Sequence, residues 1–92
     1  LVTRRLPEAV EAHLARHYDV TLNPDDRPLA RSELIEAFCR YDALVPTITD
    51  RIDAALIANP ERRVRILANF GAGLDHIDLD AARSAGLTVT NT

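Results

Sequence analysis

Apolar residues recur along this chain in two rhythms, short runs of period two and longer stretches of period three to four, and the switches between them predict its elements. Residues 1–3 predict the end of a first strand. Pro7 suits the first turn of a helix in which Val10 and Leu14 share a face, ending near His17. Residues 18–22 alternate as a second strand, and the polar, proline-rich stretch 23–28 predicts a loop. Ser32 is a candidate N-cap for a second helix with Leu34, Ile35 and Phe38 on one face. Residues 42–45 predict a third strand, closed by Pro46. Thr49 or Asp50 is expected to cap a third helix that turns Ile52, Leu56 and Ile57 inward until Asn59-Pro60 stops it. Residues 64–69 predict a fourth strand. Asp78 then caps a last helix, Asp80 sits in its positive first turn, and Gly86 supplies the left-handed residue after its end. Residues 87–90 predict a fifth strand.

Strands and helices that alternate through short connections imply parallel strands with right-handed crossovers. The expected fold class is therefore α/β: a flavodoxin-like, doubly wound, five-stranded parallel sheet in the order 2-1-3-4-5, with helices on both faces.

Composition narrows the function. A 92-residue chain that is 47% hydrophobic forms one domain, and at this size folding buries only roughly 60–65% of the unfolded surface, so stability is expected to be small. No run approaches the ~18 apolar residues of a membrane span and no basic-then-apolar leader opens the chain, which predicts a cytoplasmic protein with no membrane partner. The net charge is -3, and the basic residues are spread among the acids, so no nucleic-acid surface is expected. Cys39 stands alone, which excludes an internal disulfide and a cysteine-based zinc cluster. All 11 basic residues are arginines. Without lysine these residues contain neither a Walker A phosphate loop nor a Schiff-base nucleophile. The absence of methionine predicts a segment of a longer chain, cut at both ends.

Gly71-Ala72-Gly73 follows the fourth strand, at the edge where a doubly wound sheet presents its ligands. Glycines let a ligand approach the backbone, and successive N–H groups in such a turn cradle an anion, a carboxylate being a natural guest. The same two glycines would also serve a tight strand-to-helix turn and nothing more, and spacing alone favours that plainer reading. They do not open a dinucleotide fingerprint: the third glycine position is His76, the helix starts only after Asp78, and no acid follows about 20 residues on. Asp75-His76-x-Asp78-x-Asp80 is a poor ligand pattern and no metal is expected there. Asp78 and Asp80 are explained by the helix start, and Asp75 is expected to brace the glycine turn through its backbone N–H groups. His76, beside carboxylates, is expected to hold a proton more readily. His13 and His17, four apart, read as a solvated polar face rather than a metal pair. Thr47, after Pro46, shares the rim of the glycine turn. Its hydroxyl is a candidate for a small polar ligand or for a turn bond.

The span 66–92, with Asn69-Phe70-Gly71-Ala72-Gly73-Leu74-Asp75-His76-Ile77-Asp78-Leu79 at its heart, resembles the substrate loop of the D-isomer-specific 2-hydroxyacid dehydrogenases, which include glyoxylate and hydroxypyruvate reductases. Residues 1–7 and 42–45 support the likeness. The resemblance implies that residues 1–92 are most of a substrate-binding domain, the incomplete half of a two-domain enzyme whose Rossmann coenzyme domain lies beyond Thr92. It implies substrate contacts at Ala72 and Gly73, with Gly71 shaping the turn and Thr47 lining the pocket. It implies NAD or NADP as cofactor in the full-length protein, bound by nothing in this segment, and a small 2-oxo or 2-hydroxy acid as partner in a homodimer. The catalytic Arg, His and Glu of such enzymes have no counterpart here, so no catalytic residue is assigned and the isolated segment is expected to be inactive.

Two other readings compete. A corepressor-type relative would keep this fold without turnover, but nothing basic or disordered favours gene regulation. A free-standing flavodoxin-like module such as a phosphate-accepting receiver needs an Asp at the end of the third strand and a later Lys. This chain has Val45-Pro46 there and no Lys.

Overall fold

A computed structural model describes residues 1–71 and 73–91. The elements run α1 (Glu8–His17), α2 (Arg31–Arg40), β1 (Ala43–Leu44), α3 (Ala54–Ile57), β2 (Ile66–Asn69), α4 (Leu79–Ala85) and β3 (Thr88–Asn91). The three strands form one parallel sheet in the order β1-β2-β3. The class is α/β with a parallel sheet, as expected.

The register explains the core. Leu44 lies opposite Leu67, and Leu67 opposite Val89, so these three form one row across the sheet. Leu44 and Leu67 are fully buried against Phe38, Ile52, Leu56, Ile57, Val64, Ile77 and Ala82. α2 packs on α3, α3 on α4 and α4 on β3, closing that face. The neighbouring row, Ala43, Ile66 and Thr88, points the other way; Ile66 is 44% exposed and Thr88 is exposed.

Five strands and helices on both faces were expected, and among the described residues there are three strands and one open sheet face. The two missing strands are too sparsely bonded to form ladders. Val2 makes a single parallel bridge to Val45, with Val45 N–H donating to Leu1 and Thr3 N–H to Val45. The segment 18–22 contributes one bond, from Val2 N–H to the Thr21 carbonyl at 2.9 Å. α1 buries no residue fully; Val10 and Leu14 are half-buried.

Local signals at α4 hold: the Asp78 side chain accepts from Ala81 N–H at 3.0 Å, and Gly86 is left-handed at φ 72°. Others moved. α2 starts at Arg31, so Ser32 lies inside the helix; the Glu33 carboxylate takes the Ala30 N–H at 2.9 Å and a paired Arg27 holds it there. Ile35 is 42% exposed, because Leu34, Ala37 and Phe38 make the buried i, i+3, i+4 face. α3 is one turn capped by Asp53, which accepts from Leu56 N–H at 3.2 Å, and neither Thr49 nor Asp50 caps it. Ile52 stays extended instead, bridging Ile77 through Ile52 N–H to His76 O at 2.8 Å and Asp78 N–H to Ile52 O at 2.9 Å.

Adjacent residues of β2 should therefore differ sharply under substitution. Leu67→Ala is expected to cost about 2–5 kcal/mol. Ile66→Thr should cost no more than about 0.5 kcal/mol. Denaturant unfolding of the two variants measures both.

Candidate functional site

Three stretches meet at the carboxyl end of the sheet: 46–50 after β1, 70–71 and 73–78 after β2, and Asn91 at the end of β3. Phe70 N–H donates to Pro46 O at 2.9 Å, which fastens the start of the glycine turn to the loop after β1. Gly71 has φ +147°, backbone that favours glycine, and an added Cβ there would be in ordinary contact with Ile48 Cγ2 at 3.8 Å. Conformation, not crowding, requires that glycine. Gly73 is different: a Cβ there would meet nothing within 4 Å. The N–H groups of Gly71 and Gly73 donate to no described residue. Ala72 lies outside the described residues.

Asn69 braces the turn. Its side chain is fully buried. Its Nδ2 donates to Gly73 O and to Asn91 Oδ1, each at 3.0 Å, and its Oδ1 lies 2.7 Å from His76 Nε2. The expected brace, Asp75, makes no such bond among the described residues. Period-two alternation was the overlooked signal: Asn69 lies two residues from Leu67 and so on the same buried face of β2.

Thr47 stands on the same rim, but its groups are spent locally. Its hydroxyl lies 2.9 Å from Thr49 Oγ1, and its N–H donates to Asp50 Oδ2 at 2.9 Å. Asp50 is buried, and its Oδ2 also accepts from the Thr3 hydroxyl, tying this loop to the first segment of the chain.

Beside the turn lies a concavity of about 410 Å³, lined by Ile48, Thr49, Arg51, Asp75, His76 and Asp78 among others. Asp53, Asp75 and Asp78 outnumber Arg51 there, so side chains on this wall would not attract an acid anion. A smaller hollow of about 200 Å³ beneath α2, around Leu29, Glu33 and Tyr41, lies away from this rim. No group of three or more His, Cys, Asp or Glu among the described residues is placed to hold a metal ion. His13 and His17 lie with ring centroids 4.5 Å apart, tilted by 48°, on exposed α1. No described helix is long and apolar enough to cross a membrane.

His76 corrects an expectation. Burial pushes its pKa below the ordinary 6.5, and the opposing pull of Asp50 and Asp75 is weaker. α4 starts only at Leu79, so its N-terminus does not lie directly on the glycine turn.

A parallel α/β sheet with a glycine turn at its carboxyl edge defines the α/β class. Comparison with known proteins makes this specific. The chain belongs to the D-isomer specific 2-hydroxyacid dehydrogenase family, whose catalytic-domain profile matches residues 1–92. It is 37% identical over 91 residues to a glyoxylate reductase of Thermococcus gammatolerans and 34% identical over 91 residues to a glycerate dehydrogenase of Hyphomicrobium methylovorum. Each match covers 99% of this chain, but only 27% of the first relative and 28% of the second. The chain thus spans little more than a quarter of the length of these relatives. Among solved structures it resembles a Polaromonas protein described as a D-isomer specific, NAD-binding 2-hydroxyacid dehydrogenase, with a TM-score of 0.85, 33% identity, and coverage of 96% of this chain and 28% of that one.

Two outcomes follow from the geometry. Gly71→Ala should lose about 1–3 kcal/mol through backbone strain, read by denaturant unfolding. The unfolded chain binds a proton at His76 more readily than the folded one. Stability from the neutral ring is then present above pH 6.5 and lost as pH falls through the lower folded value. Arg51, Asp53, Asp75 and Asp78 line the same concavity as the ring, and Asp50 and Asp75 act on it electrostatically. Unfolding free energy should fall as the pH drops below about 6.5, and His76→Gln should flatten that part of the profile.

Proposed function

We propose that these residues form the substrate-binding part of an enzyme that reduces a small 2-oxo acid, glyoxylate or hydroxypyruvate favoured, with NADH or NADPH. The observation that carries the reading is the pair of glycines. Gly71 is conformationally required, whereas the open space at Gly73 and its unused N–H have no use inside the described chain. A carboxylate seated there would accept from oriented backbone dipoles that need no reorganisation as the reaction proceeds. Substrate contacts are assigned to Ala72 and Gly73, with Gly71 shaping the turn and Thr47 in the pocket wall. The relatives' names, glyoxylate reductase and glycerate dehydrogenase, support a two- or three-carbon acid.

Within this reading the segment holds and orients the acid; the hydride donor, the cation on the carbonyl and the proton donor come from residues outside it. The coenzyme domain continues the chain, and the segment alone is inactive. In the whole enzyme the segments 18–22 and 1–3 complete a doubly wound sheet in the order 2-1-3-4-5. Further chain covers the open face at Ile66, 44% exposed here. The whole protein is a cytoplasmic homodimer.

Gly73→Ala separates function from folding. In the protein carrying this chain it should leave stability within about 0.5 kcal/mol. It should raise KM for glyoxylate by roughly tenfold or more, as a methyl group enters the carboxylate's place. An unchanged KM would contradict the assignment.

A further inference from the structure

We propose that Asn69 is the positioning residue of the glycine turn, and that His76, donating through Nε2–H, holds its amide in the one orientation that grips Gly73. This inference rests on the reading above, that the turn binds a carboxylate.

The amide's three contacts decide its orientation. Gly73 O can only accept, so the atom of Asn69 facing it must be Nδ2. The second Nδ2 proton goes to Asn91 Oδ1. Oδ1 then faces His76 Nε2 at 2.7 Å, which is a bond only if that nitrogen carries the proton. Turning the amide over would set Oδ1 against the Gly73 carbonyl and Asn91 Oδ1 and Nδ2 against the His76 donor, leaving three repulsive contacts around a fully buried side chain. The histidine thus acts as a key for the amide's orientation. Its Nδ1 needs no proton for this role, which agrees with the depressed pKa of the ring.

The consequence reaches the turn itself. Phe70 N–H to Pro46 O anchors its start, and Asn69 Nδ2 to Gly73 O anchors its end. With both ends held, the freedom of the N–H groups of Gly71 and Gly73 to reorient is reduced before any ligand arrives. Orientation set in advance is what makes backbone dipoles effective toward an anion. Asn69 touches no substrate in this scheme, and its effect falls on binding more than on turnover.

The test pairs spectroscopy with kinetics on the protein carrying this chain. Long-range 1H–15N correlation of the 15N-histidine-labelled protein at neutral pH should show His76 with the proton on Nε2 and a bare Nδ1. Steady-state kinetics with glyoxylate should show His76→Gln, which keeps an N–H donor on a side chain of similar reach, within about threefold of the native KM. His76→Ala should raise KM about tenfold or more with a smaller change in kcat. A proton on Nδ1, a charged ring at neutral pH, or an Ala variant no worse than the Gln variant would each overturn the proposal. If the native protein turns over no 2-oxo acid, the enzymatic reading fails on its own. The tautomer, measured without substrate, still decides whether His76 keys Asn69.

Discussion

Burying an amide side chain without partners costs roughly 2–7 kcal/mol, so a fully buried asparagine at the end of a strand must be satisfied or the strand end will not stay where it is. Asn69 is satisfied by three neighbours from three stretches: the glycine turn, the approach to α4 and the end of β3. The position of the candidate site follows from that single requirement. The sheet row Leu44, Leu67 and Val89 sets β2 in the core, alternation carries Asn69 onto the same face, and its bonds then draw Gly73, His76 and Asn91 together. A second buried polar group, Asp50, does the corresponding work on the other wall, tying Thr47 N–H to the Thr3 hydroxyl.

This arrangement accounts for the chemistry proposed for the rim. Side chains beside the turn carry more negative than positive charge, so a carboxylate gains nothing from them. What remains are N–H dipoles, one on a residue whose φ of +147° suits only glycine and one on Gly73 that donates to no described residue. A site of this kind orients an acid without supplying proton or hydride. That division of labour fits a chain spanning little more than a quarter of the length of its relatives.

Features set by near neighbours in the chain were legible in advance. Asp78 and Gly86 bound α4 as read, because capping and left-handed termination are decided within a turn. The glycine turn was likewise placed correctly at the end of a strand. Features set at a distance were not. Thr49, Asp50 and Asp53 are all competent caps, and the choice fell to Asp53 because the Ile52–Ile77 bridge keeps Ile52 extended. Proximity points to Asp75 as the brace, whereas the brace is Asn69, whose partners lie 4, 7 and 22 residues on. His76 was expected to gain basicity from adjacent acids, and desolvation, invisible in a sequence, reverses the sign. The first two strands, expected from pattern, are not formed among the described residues: 1–3 makes one isolated bridge, and 18–22 joins it only through the Val2 N–H to Thr21 O bond.

The most direct test of the account is to follow backbone amide resonances while titrating the protein carrying this chain with oxamate, a 2-oxo acid isostere that cannot be reduced. The account predicts that the amide protons of Gly71 and Gly73 move downfield together and saturably, as they become donors to the carboxylate. Saturable binding that leaves both glycine amides unmoved, with shifts confined to other surfaces, would contradict it.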